Sequence, residues 1–158
     1  FISSYHDDKN MIKVYADNAR KYDMSEYDHF LFSYHGIPQR QLRKADDNNH
    51  CLKNGDCCKV LGENNKMCYS AQCYDTTYKI AAELGLTKEQ YSVSFQSRLG
   101  RDPWTEPFTP DMLKSLNEKG YKKLLVFSPS LVLPHWCCCR LPPTAGKSSC
   151  APQVRRPK

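Results

Sequence analysis

The stretch "FLFSYHGIPQR", residues 30–40, decides the fold because it ends a dense apolar run at a histidine, a glycine and a proline. Residues 28–34 are aromatic and apolar without clean alternation, as expected for a strand covered on both faces. Gly36 and Pro38 end the strand, because glycine permits a sharp turn and proline has no N–H to donate to a ladder. The pattern therefore places His35 at the carboxyl end of a buried strand.

Amphipathic helices are predicted on both sides of this strand in the sequence. Apolar side chains recur at helical spacing over residues 8–22 and again over residues 67–84. Asp7 and Asp8 are available to cap the first turn of the first helix, because a carboxylate there accepts from free backbone N–H groups. Gly85 stands where a C-terminal glycine stop is expected for the second helix.

The remaining elements continue the same alternation. "YSVSF", residues 91–95, alternates like a strand, and "KKLLVFSPS", residues 122–130, is predicted to hold the last strand. Between them, Thr109 is predicted to cap a helix that starts at Pro110 and ends at Gly120, since proline is tolerated at a helix start and glycine at its end. The chain therefore alternates helix and strand three times.

This alternation predicts an α/β fold with a parallel sheet and crossover helices, because parallel neighbours need long connections. In open sheets of this kind, ligands bind at the carboxyl ends of the strands. Three polar segments fall at those ends, at residues 34–36, 96–98 and 128–130. We therefore expect a site at this edge, where His35 has either a structural role at the turn or a chemical one.

The composition favours one cytoplasmic domain. A chain of 158 residues is long enough for a single core, and no run of about 18 apolar residues predicts a membrane span. Of the net charge of +6, five positive charges lie in residues 134–158, which contain no acid, so we expect no nucleic-acid binding by the nearly neutral remainder. Because the sequence starts at Phe1 without an initiator methionine, we expect a fragment.

The cysteines are unusually many, nine in all, and fall into two groups. Five lie in and just after an inserted polar loop, residues 45–66, with the spacing C-x5-C-C-x9-C-x4-C: Cys51, Cys57, Cys58, Cys68 and Cys73. The other four lie in a basic, proline-rich tail, residues 132–158, which shows no helical or strand period. We expect one α/β domain over residues 1–131, followed by an aberrant or disordered tail that does not continue the sheet.

Three motifs in order resemble the ferrochelatase family, whose members insert ferrous iron into protoporphyrin IX to form protohaem. They are "LFSYHGIPQR" at residues 31–40, "SVSFQSRLGRDPWTEP" at residues 92–107 and "KKLLVFSPS" at residues 122–130. The resemblance covers residues 1–130 and corresponds to the carboxyl-terminal half of the family's domain pair. It implies a Rossmann-like chelatase fold, a lyase activity and a place in haem biosynthesis.

The resemblance also implies roles for particular residues. His35 matches the family's active-site histidine, which accepts pyrrole protons or binds Fe²⁺, and a neutral imidazole suits either role. Trp104 matches a tryptophan that lines the porphyrin cleft. Gln96, Ser97 and Tyr34 are expected to contact the porphyrin. The expected partners are ferrous iron and protoporphyrin IX, with coproporphyrin as an alternative, and peripheral contact with a membrane surface is left open.

The chain departs from the family after "FSPS". The family continues into a segment whose glutamate faces the histidine across the cleft, whereas this chain reads "LVLPHW" at residues 131–136 and has no glutamate after Glu118. We therefore expect the chain as it stands to be inactive. The alternative function is a non-catalytic domain that binds porphyrin or an iron–sulfur cluster. A nucleotide-binding oxidoreductase ranks last, because no strand is followed by a G-x-G-x-x-G turn.

The loop cysteines predict a metal centre. Four thiolates suffice for a two-iron two-sulfur cluster or for a tetrahedral zinc ion. Some bacterial ferrochelatases resemble this chain in carrying a cysteine-rich insertion that binds such a cluster. We expect Cys51, Cys58, Cys68 and Cys73 to be the ligands and Cys57 to be spare. Free thiols are the alternative, because the spacing matches no standard zinc ribbon.

Overall fold

The computed structural model describes residues 4–129 and the backbone of a strand over residues 136–140. The elements follow in the order α1 (Lys9–Ala19), β1 (His29–His35), α2 (Gln39–Lys44), α3 (Tyr69–Leu84), β2 (Tyr91–Gln96), α4 (Thr109–Glu118), β3 (Lys123–Phe127) and β4 (Trp136–Arg140). Short 3₁₀ turns lie at Met24–Glu26 and Glu63–Asn65. Helices thus connect β1 to β2 and β2 to β3, as the sequence predicts.

The strands form one sheet in the order β2-β1-β3-β4. β1 lies between β2 and β3 and is parallel to both, and its register with β2 ends at the pair His35↔Gln96. Six consecutive residues of β1, from His29 to Tyr34, are buried. The prediction of a parallel α/β sheet whose first strand is covered on both faces is therefore confirmed.

Helices cover both faces of the sheet. On one face, α1 and α3 pack over the even-numbered side chains of β1, and Phe32 stacks on Phe127 with ring centroids 4.4 Å apart. On the other face, Leu116 of α4 packs against Leu31 and Leu124. Each fully buried side chain of this size stabilises the fold by about 1.5–3 kcal/mol relative to exposure. The two faces therefore fix the strand backbone that carries the site.

Two helix ends agree with the capping predictions and one differs. The Asp8 carboxylate accepts a 2.7 Å backbone hydrogen bond in the first turn of α1, and Gly85 ends α3 with φ at +70°. The prediction that Thr109 caps α4 is wrong, because the helix already begins at this residue. Its hydroxyl lies 3.1 Å from that of Ser33 and 2.9 Å from that of Ser94. Thr109 therefore fastens α4 to two strands.

Two elements lie where the sequence predicts none. α2 spans only six residues and buries only Leu42, so it is too short to show a helical period. β4 contradicts the expectation that the tail does not continue the sheet, since it pairs with β3 from Lys123↔Arg140 to Phe127↔Trp136 in antiparallel register. Main-chain hydrogen bonds hold an edge strand and need no side-chain period. The predicted domain boundary at residue 131 and the other tail residues lie outside the described residues.

Candidate functional site

His35 is an exposed residue at the carboxyl end of β1. It stands in register with Gln96 of β2, so the two side chains are neighbours on the same face of the sheet. By the alternation of the strand, this is the face that carries Leu31 and Ser33 and is covered further back by α4. The prediction that the histidine lies at the strand edge is confirmed, and its ring is open to solvent and to a ligand.

The turn after His35 depends on the absence of a side chain at Gly36. The Gly36 N–H donates a 2.8 Å hydrogen bond to the carbonyl oxygen of Gln96. A Cβ atom at this position would lie 2.8 Å from that oxygen and 3.2 Å from Oγ1 of Thr105. Glycine therefore lets the end of β1 approach both β2 and the loop that carries Trp104.

The loop with Trp104 is tied to the histidine turn by backbone and side-chain hydrogen bonds. Thr105 binds Ile37 twice, through its N–H to the Ile37 carbonyl at 3.0 Å and through its Oγ1, which accepts from the Ile37 N–H at 3.1 Å. Gln39 donates its N–H to the Pro103 carbonyl at 2.8 Å and its side-chain amide to the Trp104 carbonyl at 3.1 Å. The structure thus brings Trp104 beside the histidine turn, although the two are far apart in sequence.

The indole of Trp104 is half-buried beside Gly36. Its Cε3 atom would lie 3.5 Å from a Cβ at that glycine. Its Nε1 is buried and has no hydrogen-bond partner among the described residues. Sequence reasoning did not identify Gln39 or Thr105, which tie the backbone of this loop to the histidine turn, because nothing in their local pattern reveals a cross-loop bond.

The other predicted contact residues divide into two near the edge and one in the core. Gln96 is half-buried beside His35, and Ser97 follows it, exposed and in the left-handed region with φ at +70°. Such a conformation costs a non-glycine residue about 1–3 kcal/mol and is often found at functional sites. Tyr34 is buried instead, and its hydroxyl bonds that of Thr77 at 2.8 Å. The structure therefore brings Gln96 and Ser97 to the site but not Tyr34.

Arginine side chains that the sequence analysis did not single out lie around the same loop. The guanidinium carbon of Arg98 lies 4.7 Å from the ring centroid of Phe108. Arg40 lies 3.7 Å from the carboxylate of Asp102, and both side chains are exposed. Guanidinium groups bind carboxylates well, so this edge suits a ligand with acidic substituents. In the sequence, the two arginines of the motif "SRLGR", residues 97–101, were the available signal for Arg98.

Three of the five loop cysteines lie together in a small apolar cluster, the cysteine core. Its buried members are Leu42, Cys51, Cys68 and Ala71, and partly buried Ile37, Leu52, Cys58, Leu61 and Tyr69 pack against them. The Sγ atom of Cys58 is 3.8 Å from that of Cys68 and 3.6 Å from that of Cys57. Cys51 and Cys68 are both buried in this cluster. All of these cysteines are free thiols.

Cys68 is the most acidic thiol of this group. The hydrogen bond from the Cys58 thiol, together with the backbone N–H groups of Ala71 and Ser70 at the start of α3, lowers the pKa of Cys68 to about 6. The same hydrogen bond, together with burial, raises the pKa of Cys58. Burial and the neighbouring Cys68 raise the pKa of Cys51 to about 12. The thiolate form is thus favoured at Cys68 over Cys51 and Cys58.

Cys73 does not join this group. It is buried among the residues of the main core on the α1 and α3 face, and burial raises the pKa of its thiol. Cys57, which the sequence analysis left spare, is the residue that lies next to Cys58. Across residues 4–129, no set of three or more histidine, cysteine or acidic side chains is arranged to hold a single metal ion.

The fold and the edge residues define a class of protein. The chain is an α/β protein whose parallel strands carry an exposed histidine, a tryptophan and basic residues near their carboxyl ends. In open sheets of this class, ligands bind at that edge. The family model for ferrochelatase matches residues 1–136. The chain belongs to the ferrochelatase family.

Individual relatives agree with the family match. The ferrochelatase of Pseudomonas fluorescens strain SBW25 is 42% identical over 133 residues, and that of Ectopseudomonas mendocina strain ymp is 43% identical over 129 residues. The matches cover 83% and 81% of this chain. The chain spans 39% and 38% of the length of these two relatives.

None of the helices in the described part of the chain combines the length and the apolar character needed to cross a membrane.

Proposed function

We propose that this chain is the histidine-bearing part of a cytoplasmic ferrochelatase, a lyase that inserts ferrous iron into protoporphyrin IX to form protohaem. The observation that carries the proposal is the exposed His35 at the carboxyl end of β1, with Trp104 held beside its turn, in a chain of this family. Coproporphyrin is the alternative substrate. The basic residues at the edge suit either one, because both macrocycles carry carboxylates.

The chemistry requires a base or a metal ligand at this edge. As Fe²⁺ binds the four ring nitrogens, two pyrrole N–H groups each lose a proton, so the porphyrin gives up two protons for one iron ion. His35 accepts these protons in turn or hands the iron to the ring through its nitrogen. Trp104 lies against the macrocycle, and Gln96 and Ser97 bind its polar edge groups. Arg98 pairs with a carboxylate.

The test is metal insertion by the full-length protein. Conversion of protoporphyrin IX and ferrous iron to protohaem is followed by the change in porphyrin absorbance. His35→Ala is expected to abolish the conversion. The control is His6→Ala, which should retain it, because the His6 ring bonds Asp75 on α3 at 2.6 Å and lies outside the proposed site. Near-normal insertion by His35→Ala contradicts the assignment.

A second candidate function is porphyrin binding without catalysis. It is favoured by the sequence after Leu131, which lacks a glutamate to complete the family's site. Titration of protoporphyrin IX into this 158-residue chain separates the two proposals, because a saturable absorbance shift without protohaem formation supports binding alone. A glutamate-bearing continuation in another reading frame of the gene would favour the enzyme.

The cysteine core, together with the adjacent Cys57, fits a two-iron two-sulfur cluster. Two sulfurs bound to one tetrahedral metal at ~2.3 Å are about 3.7 Å apart. The Sγ distances of 3.6 Å between Cys57 and Cys58 and of 3.8 Å between Cys58 and Cys68 each match such a pair, and because Cys58 is common to both, only one of them joins two ligands of the same iron. Each iron takes two thiolates, so the four sulfurs need not converge on one point. We propose Cys51, Cys57, Cys58 and Cys68 as ligands, with Cys57 in place of the expected Cys73. When bound, the cluster supplies one-electron redox chemistry and cross-links the loop.

The cluster is tested by visible absorption and by iron and acid-labile sulfide content after purification without oxygen. Cys58→Ser is expected to remove the absorption bands and the iron, whereas Cys73→Ser is expected to keep both. Zinc in place of iron and sulfide supports the zinc alternative. Colourless protein without bound metal supports free thiols. Loss of the cluster in Cys73→Ser but not in Cys57→Ser restores the ligand set expected from the sequence.

A further inference from the structure

Tyr69 joins the cysteine core to the histidine at the sheet edge. It is the first residue of α3 and directly follows Cys68, the N-cap of that helix. Its hydroxyl donates a 2.7 Å hydrogen bond to the backbone carbonyl of His35. We propose that Tyr69 is a positioning residue for metal insertion, which fixes the backbone of His35 and makes its position depend on the state of the cysteine core. This inference rests on the proposed function.

β1 extends beyond its last pair with β3, and the His35 carbonyl lies in this extension. The N–H group of Phe30 bonds to the carbonyl of Gln90, which directly precedes β2, and that of Gly36 bonds to Gln96 of β2. The backbone groups of the odd-numbered His35 therefore face the opposite side of the strand. On that side, the register with β3 ends at Phe32↔Phe127. The Tyr69 hydroxyl thus binds a strand-end carbonyl beyond the last β1–β3 pair. It holds the last residue of β1 in line with the sheet.

A second contact joins the cysteine core to the same turn. Ile37, two residues after His35, packs into the cysteine core through its side chain. Its backbone N–H and carbonyl are both bound by Thr105, the residue that follows Trp104. The cysteine core therefore contacts the turn on both sides of Gly36, through a hydrogen bond to His35 and through packing against Ile37. A structural change in the cysteine core would therefore displace both His35 and Ile37, which flank Gly36.

The position of the His35 ring follows from this backbone. The ring is exposed, so its place at the sheet edge depends on where the strand end holds its Cα atom. Misplacement of a reacting group by about 1 Å costs as much as 100-fold in rate. Loss of one hydroxyl should shift the backbone by less than 1 Å, so we expect the rate of metal insertion to fall only about tenfold. Since Tyr69 makes no predicted contact with the porphyrin, the loss should fall on kcat and leave the KM for porphyrin within twofold.

The first experiment compares three variants in the full-length protein. Tyr69→Phe removes the hydroxyl, and Tyr78→Phe removes a hydroxyl from the same helix. Cys73→Ala removes a buried thiol from the same helix. We expect kcat to fall about tenfold in Tyr69→Phe only. Equal kcat in Tyr69→Phe and wild type overturns the proposal, as does an equal fall in Cys73→Ala.

The dependence on the cysteine core is tested by a double-mutant cycle. Cys58→Ser should lower kcat in the wild-type background, because it disturbs the cluster and with it the start of α3. If Tyr69 transmits this effect, Cys58→Ser should change kcat by less than twofold in the Tyr69→Phe background. Fully additive losses contradict the coupling.

A readout without activity separates this inference from the proposed function. In spectra of ring-labelled histidine, the His35 resonance, assigned by its loss in His35→Asn, should shift in Tyr69→Phe and stay in place in Tyr78→Phe. If the wild type forms no protohaem, the proposed function fails, and the resonance alone decides whether Tyr69 positions His35. An unmoved resonance overturns the inference even where the enzyme is active.

Discussion

The N–H of Gly36 donates to the carbonyl oxygen of Gln96 at 2.8 Å, and this contact closes the sheet beside His35. Gly36→Ala would place a Cβ atom 2.8 Å from the same oxygen and 3.2 Å from Oγ1 of Thr105. Because the near atom is backbone and cannot rotate away, the strands must separate. We expect the free energy of unfolding, measured in urea, to fall by about 1–3 kcal/mol.

Gly55→Ala is the matched control for this substitution. A Cβ atom at Gly55 meets nothing within 4 Å, so the same added methyl group should leave the free energy of unfolding within about 0.5 kcal/mol of wild type. An equal loss in both variants would show that the close approach at Gly36 is unimportant. A loss of iron insertion in Gly36→Ala without loss of stability would place the effect in the site alone.

Stability should depend on pH through His29. This residue is buried in β1, its Nε2 lies 2.9 Å from the hydroxyl of Ser92, and burial together with the charge of Lys119 lowers its pKa to about 4. In the unfolded chain the pKa is about 6.5. As the pH falls, the unfolded state therefore binds the proton first. The stabilisation is complete above about pH 6.5 and is lost towards pH 4, by about 3 kcal/mol.

Urea unfolding at several pH values between 7.5 and 4 measures this loss. His29→Gln, which does not titrate, should be less stable at pH 7.5 but should lose less on acidification. If wild type and His29→Gln lose stability in parallel, other groups cause the acid sensitivity. The packing of His29 against Tyr121, with ring centroids 4.9 Å apart, would then tolerate the charged ring.

Trp104 should contribute to porphyrin affinity through its flat face. Trp104→Leu keeps an apolar side chain but removes stacking on the macrocycle, so the Kd for protoporphyrin IX should rise about tenfold, within the range for an aromatic contact. Trp104→Phe should recover most of the affinity. Titrations followed at the porphyrin absorbance band measure both. An unchanged Kd in Trp104→Leu would remove this residue from the porphyrin site.

The sequence predicts the sheet well because its signals are local. The buried run of β1 and the glycine stop of α3 each depend on neighbouring residues, and both agree with the structure. Thr109 shows the limit, since its hydroxyl finds Ser33 and Ser94 only after three distant segments have come together. β4 shows a second limit, because an edge strand can form from main-chain pairing without any period in its side chains.

The site follows the same division. The position of His35 at a strand end follows from the sequence, and the structure brings Trp104 beside it through bonds that no local pattern reveals. Spacing alone could not choose among the loop cysteines, because the loop has no period. The helical period of α3 carries Cys73 into the main core, while Cys57 remains beside Cys58. The fold of the loop and of α3, rather than the spacing in the sequence, decides which thiols lie close together.

Asn65 should decide whether the cysteine core forms at all. This buried side chain donates to the carbonyls of Cys57 and Val60 at 2.8 and 2.9 Å and accepts from the N–H of Gly62 at 2.7 Å. Asn65→Ala removes all three bonds, each of which is typically worth about 0.5–1.5 kcal/mol, and so loosens the backbone of the loop. In metal-free protein, we expect the loop thiols to react with an aromatic disulfide at least tenfold faster, while Cys73 stays protected. The exposed neighbour provides the control, since Asn64→Ala should react at the wild-type rate; equal rates in wild type and Asn65→Ala would show that the thiols are held by packing instead.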